Sequence, residues 1–578
     1  MTQLTFRATF MWLPALAMMV LSLKNLNAQT VSSPDISIQL GSKFSSDFNG
    51  DGVGDIAVGI PNEDIGDISA AGAVQVIYGR KGDCPSSIAS SQFWHQNSSG
   101  IGEECEEGDL FGSALAVGDF NKDGFDDLAI GAPGENQEIS NLSILTAVGT
   151  VHILFGSASG LTSQNSELWN WDDFSVLRPQ DHSFFGQVLV SGDFDSDGFD
   201  DLAIGAPLMS PEVPPLGQNN QRNEGVVFTL YGSSGGLTAL GNQVMWSQIQ
   251  LHCCTGANDH FGTALAAGDF NNDGFADLAV GAPFDNLNGA SPSVVDDAGQ
   301  VDIIYGSSAG LTSAGSQALS QNSPGVLGGA ERHDHFGVSL TVGDFDSDGY
   351  TDLAVGVPDE DVDNIENAGA VNVFYGFSDG LRTQGGQIWH QNSPDILGGA
   401  EHQDRFGLVL SSGDLNDDNY SDLIIGVQNE SIGSIQNAGV FHVIYGSPAH
   451  LSAFNNQQWH QDQPSIFRGV ETDDRFGAAL SSGDFDGDGH ADVFVGTPGE
   501  SFSGTNQAGA LLILFGSSGI LTSRRHQFLS QSSPGIPDNI EKEDQFCSGV
   551  AIGKYIQGIG LSIFNPESTD FDLSEKEP

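Results

Sequence analysis

One segment recurs seven times along this chain, and that repetition limits the possible folds more than any other feature. "SDFNGDGVGDIAVGIP" starts at Ser46. It returns as "GDFNKDGFDDLAIGAP" from Gly118, "GDFDSDGFDDLAIGAP" from Gly192, "GDFNNDGFADLAVGAP" from Gly268, "GDFDSDGYTDLAVGVP" from Gly343, "GDLNDDNYSDLIIGVQ" from Gly413 and "GDFDGDGHADVFVGTP" from Gly483. The leading aspartates are about 70 to 76 residues apart, a period that belongs to repeat architectures. A length of 578 residues would otherwise suggest several unrelated domains. The period replaces them with one unit used seven times.

Apolar runs return around each copy in a fixed order. A Phe-Gly pair stands ahead of the leading Asp in Phe111-Gly112, Phe185-Gly186, Phe261-Gly262, Phe336-Gly337, Phe406-Gly407 and Phe476-Gly477. After the acidic loop comes a short run such as "DLAIGAP", then an alternating run such as "VGTVHILFG" or "AGAVNVFYG", then a weaker one such as "QIWHQ". Short β-branched and aromatic runs bounded by Gly, Pro, Asn and Asp predict strands, and none keeps a helical period. Four strands per unit cannot cover a sheet as an isolated domain, whereas radial packing covers both faces and protects the edges. The expected fold is all-β, a seven-bladed β-propeller of four-stranded antiparallel blades over residues 36–555.

The acidic loop has the donor chemistry of a hard-cation site. Position one is Asp47, Asp119, Asp193, Asp269, Asp344, Asp414 or Asp484, and position three is Asn49, Asn121, Asp195, Asn271, Asp346, Asn416 or Asp486. Position five is Asp51, Asp123, Asp197, Asp273, Asp348, Asp418 or Asp488, and position nine is Asp55, Asp127, Asp201, Asp277, Asp352, Asp422 or Asp492. Position seven varies, as Val53, Phe125, Phe199, Phe275, Tyr350, Tyr420 or His490, and would lend its backbone carbonyl. Oxygen donors at alternating positions of a tight turn suit Ca²⁺, which takes six to eight of them, better than Mg²⁺ with its stricter octahedron. Position six is Gly except for Asn419, as a left-handed residue requires. An EF-hand would carry Glu at position twelve; here Val58, Ile130, Ile204, Val280, Val355, Ile425 or Val495 opens a strand instead. A lone copy reads equally as an Asp-rich turn, but seven in register predict up to seven calcium ions.

A net charge of −58 excludes nucleic acid as a partner, because the chain would repel a phosphate backbone. Residues 1–28, with Arg7 ahead of an apolar run and Ala28 at its end, read as a signal peptide, so the mature chain is expected outside the cytoplasm with no transmembrane segment. Five cysteines leave at least one unpaired, and Cys84 with Cys105 is a candidate disulfide. Residues 556–578 are expected to form a degenerate or disordered acidic tail. "FCSGVAIGK", from Phe546, falls on the period without its leading Asp; it is either a strand that completes the first blade or a decayed eighth unit.

Phe-Gly, the D-x-[DN]-x-D-G-x-x-D loop and Gly-Ala-Pro, in that order, resemble the FG-GAP repeats of the integrin alpha-subunit propeller, and are similar to repeats of glycosylphosphatidylinositol-specific phospholipase D. The resemblance implies calcium loops on the lower face, between strands one and two, and a ligand on the upper face. Adhesion or recognition of an extracellular or cell-surface protein or glycan follows as the expected function. The long loops "GENQEISNLSILTAV", "LMSPEVPPLGQNNQRNE" and "FDNLNGASPSVVDD" are its candidate ligand patch. The alternative is a hydrolase or lyase acting on extracellular polysaccharide or lipid. No nucleophile elbow, phosphate loop or convergent acid, base or His cluster is visible in the sequence, so no enzyme is expected. His95, His390 and His460, each beside a Trp, read as structural residues of the fourth strand.

Overall fold

The computed structural model describes residues 46–551 apart from 82–89, 141–142, 175–180, 212–222, 240–243, 253–255, 289–293, 465, 467–468, 503–504, 506 and 537–543. The signal peptide, the acidic tail, Cys84 and most of the second long loop lie outside them.

The apolar runs become strands where the sequence places them. In the second repeat the acidic loop joins Ala114–Gly118 to Asp127–Ala132, followed by Thr150–Phe155 and Thr162–Trp169. All are antiparallel, with Ala129 facing Ala116 on one side and Ile153 on the other. The second and third strands are buried at every residue, because a neighbouring sheet covers each of their faces; the fourth is partly exposed. Seven such four-stranded sheets form, making a seven-bladed β-propeller.

Six blades take their four strands from one stretch of chain, with a hairpin inserted in the second and the fourth, and the first blade does not. Its sheet holds Ile56–Ile60, Ala73–Ile77 and Ser91–Trp94, and its remaining strand is Gly549–Ala551, paired with Ile56–Ile60 through Val58 opposite Val550. This strand lies beside Ala479–Gly483 of the seventh blade and Ala114–Gly118 of the second, so it closes the ring. Residues 40–45 lie outside the described residues, and Ser46 forms a bridge to Asp55. Among the described residues Cys105 and Cys547 are buried thiols, and the candidate partner of Cys105, Cys84, lies outside the described residues.

The two halves of the repeated motif meet across the blade junction. A Cβ on Gly131, in Gly-Ala-Pro of blade two, would lie 2.0 Å from the Gly186 carbonyl oxygen of the next blade's Phe-Gly; on Gly281 it would lie 2.1 Å from that of Gly337. Only glycine lets the two backbones come so close. The phenylalanines of the pair, Phe111, Phe185, Phe261 and Phe336, are fully buried between blades. At the last junction Cys547 stands for the second glycine, and its carbonyl oxygen meets Gly496 in the same way.

Candidate metal centre

All seven acidic loops fold alike, because their carboxylates capture backbone N–H groups. The leading Asp accepts from position five through Oδ1 and from position six through Oδ2: Asp51 and Gly52 donate to Asp47 at 3.0 and 2.7 Å, Asp273 and Gly274 to Asp269 at 3.0 and 2.8 Å. Position five accepts from position seven, as Phe199 donates to Asp197 at 3.0 Å and His490 to Asp488 at 3.1 Å. Position six is left-handed, with φ 89° at Gly124 and 68° at Asn419. These turns bring positions one, three and five onto one centre. Within Asp193, Asp195 and Asp197, within Asp344, Asp346 and Asp348, and within Asp484, Asp486 and Asp488, one oxygen of each lies within 4.8 Å of the others.

Position nine is anchored from inside. In loop two, Asp127 accepts the Phe120 N–H at 3.0 Å and the N–H of Gly156, just past the third strand, at 2.8 Å. Asp55, Asp201, Asp277, Asp352, Asp422 and Asp492 repeat this with Gly79, Gly232, Gly306, Gly376, Gly446 and Gly516. Each oxygen has a second lone pair, which at Asp55 faces the Asn49 amide at 3.4 Å. Burial pushes all seven carboxyls up to about 8, and the neighbouring loop aspartates add repulsion.

Two position-three oxygens show that such a loop suits a cation. Asn416 Oδ1 and Asp486 Oδ1 are buried with no hydrogen-bond partner, a costly state unless a positive charge faces them. Oxygen-only donors crowded in this way fit a hard divalent ion. The seventh loop has an internal competitor: Arg525 donates to Asp486, and to Asp488 Oδ2 at 3.2 Å. Neighbouring loops are also linked. The carbonyls of Asp47, Asp119, Asp193, Asp269 and Asp344 accept position-eight N–H groups of the following loops, from Asp126, Asp200, Ala276, Thr351 and Ser421, at 2.9 to 3.2 Å.

The opposite face holds a cluster that reading the sequence misses. His260 and His335 stand just before Phe-Gly in blades four and five, and the Phe284 ring lies between theirs, with centroids 4.7 and 4.8 Å away. His335 Nδ1 lies 2.8 Å from Asp359, which also accepts from Arg405 Nε at 2.8 Å. Burial, then the His335 charge, push His260 down to about 4. The available signal was "DHFG" in two copies where two others read "DRFG". His95, His390 and His460 directly follow a fourth strand or its Trp, while the adjoining Gln96, Gln391 and Gln461 donate to buried Glu135, Glu430 and Glu500 at 2.5 to 2.6 Å.

The FG-GAP repeat family matches residues 45–77, 111–154, 185–221, 261–304, 336–374, 406–444 and 476–514, one match per blade. The chain is an FG-GAP repeat protein. Integrin alpha-PS2 of Drosophila melanogaster is 31% identical to it over 276 residues, 47% of this chain and 17% of that one. Integrin alpha-5 of Xenopus laevis is 32% identical over 250 residues, 43% and 20%. Phosphatidylinositol-glycan-specific phospholipase D of Mus musculus is 33% identical over 220 residues, 36% and 23%. This FG-GAP chain thus matches about a fifth of the length of these relatives. A rhamnogalacturonan lyase of Bacillus licheniformis aligns at TM-score 0.33 with 11% identity, over 78% of this chain and 65% of the lyase, too loosely to bear on activity. No helix among the described residues of the FG-GAP protein is long and apolar enough to cross a membrane.

Proposed function

We propose that this FG-GAP propeller is a secreted, calcium-stabilised recognition module for adhesion or ligand binding, in which the ions stiffen one face and the other meets an extracellular protein or glycan. The observation that carries the reading is the sevenfold repetition of the loop, in three copies of which three carboxylates converge within 4.8 Å of one another and repel. In each loop positions one, three, five and nine would hold the ion by side chain and position seven by its carbonyl. The bound ion would supply positive charge to carboxylates that are otherwise raised in pKa. Similarity to integrin alpha chains supports the recognition role.

Strand alternation sends the connections between second and third strands to the face away from the loops. Two of them carry extra hairpins, Gln137–Ser140 with Ser143–Leu145 and Leu287–Asn288 with Val294–Val295, the latter with Val294 52% exposed. These are the proposed ligand-facing elements. The enzyme reading rests on the His260, His335, Asp359 and Arg405 cluster, which lies on that same side.

Calcium chelation followed by a binding screen against matrix proteins and glycans tests the proposal. Lowered thermal stability and loss of binding, both restored by Ca²⁺, are expected. A melt and binding profile indifferent to chelation would refute it.

A further inference from the structure

The connector into blade five lies against the loop that ends blade four's second-to-third connection. His333 donates its backbone N–H to the Asp296 carbonyl at 3.0 Å, and His335 and Phe336 donate to Asp297 and Ala298 at 3.2 and 3.0 Å. Every junction uses this pairing, so the side chains at its matching positions are comparable. In the junction before they are Asn223, Asn258 and His260, and in the one after Asn367, Gln403 and Arg405. Only between blades four and five, among the described residues, are all three able to ligate a metal through a carboxylate or imidazole: Asp297, His333 and His335.

We propose that Asp297, His333 and His335 form a divalent transition-metal site of the zinc class, separate from the acidic loops and on the opposite face. One ligand atom from each lies within 4.8 Å of the others, and His333 Nδ1 already stands 3.0 Å from Asp297 Oδ2. Tetrahedral zinc with bonds of about 2.0 to 2.2 Å sets its ligands roughly 3.4 Å apart, so a small rotation closes the set. The His333 side chain is 56% exposed and can make it, while that of His335 is 8% exposed and stays in place. Two imidazoles and one carboxylate select zinc-like ions over calcium.

The support behind the ligands is what a metal site needs. Asp359, buried and held by Arg405, clamps the His335 imidazole, and such a carboxylate orients a ligating ring and raises its basicity. The equivalent position is Phe284 in blade four and Asn429 in blade six, so the clamp is confined to the junction that has the ligands. Three protein ligands leave a fourth position for water or for an anionic oxygen of a molecule docking on this face.

Zinc titration of the full chain by calorimetry, in saturating Ca²⁺ to mask the acidic loops, tests the site. The wild type is expected to take up one Zn²⁺ that calcium does not displace. His333→Ala and Asp297→Asn should weaken that uptake at least about tenfold, and Asp359→Asn about 10- to 100-fold. His333→Ala changes an exposed side chain, and an unchanged melt in calcium confirms that it folds. Arg332→Ala, which removes only the pair with Asp296, should bind as the wild type does. Substituted Co²⁺ should give tetrahedral visible bands that His333→Ala abolishes. Zinc uptake equal in the wild type and both ligand variants, or no uptake in calcium, would overturn the proposal whatever chelation does to stability.

Discussion

The guanidinium of Arg525 bridges Asp486 and Asp488, so the seventh loop holds a permanent positive charge between two of its own carboxylates. An ion entering that loop has to displace it. A calcium titration of the wild type should therefore show one site weaker than the rest, and Arg525→Gln should tighten that class roughly tenfold; an unchanged isotherm would mean the arginine yields at no cost. At position nine the cost is different in kind. Asp201 accepts two backbone N–H groups from inside the blade, from Phe194 at 2.8 Å and Gly232 at 2.8 Å. An asparagine there would turn an NH₂ toward one of those donors. Asp201→Asn should remove one calcium equivalent by atomic absorption and lower stability by about 1 to 3 kcal/mol even without calcium.

At the scale of strands and their junctions, the close backbone approach makes the Gly-Ala-Pro glycine sensitive. Gly281→Ala forces a methyl into the Gly337 carbonyl and should cost about 1 to 3 kcal/mol in urea unfolding. Gly329→Ala, where nothing lies within 4 Å, should be near neutral. The third strands carry a second liability. His442 is fully buried against the Phe406 ring with neither nitrogen hydrogen-bonded, and burial pushes it down to about 3. The unfolded chain takes up this proton near pH 6.5, the folded chain only near 3, so the contribution to stability is whole above 6.5 and is lost as pH falls. Between pH 6.5 and 5 the loss is roughly 2 kcal/mol. His442→Leu should remove that part of the acid sensitivity, read as the difference between wild-type and variant stabilities at the two pH values. Strands and acidic loops were legible in the sequence because the same chemistry recurs in every copy. The His335 cluster was not, because it uses positions that vary between copies and joins residues from different blades.

For the whole molecule, the decisive element is the short strand Gly549–Ala551. Its register with Val58 was open in the sequence, since the segment lacks the leading Asp that marks every other first strand and Cys547 replaces its glycine. The structure puts it into the first blade. Deleting residues 545–578 should lower the melting temperature by more than about 5 °C, and an unchanged melt would show that the ring holds without it. The acidic charge has a bearing at this scale too: seven divalent ions would offset only 14 of the 58 net negative charges, so the filled protein should stay soluble and strongly anionic.

A blade shared between distant parts of one chain also sets a timetable. Ile56–Ile60 leaves the ribosome long before Gly549–Ala551, and at about 5 to 20 residues per second the gap is on the order of a minute. Throughout that time the edge of the first sheet has no native partner, and an open strand edge is a template for pairing with other chains. Synthesis therefore passes through an unlatched ring, and whatever guards that edge during translation matters as much to yield as the stability of the finished propeller.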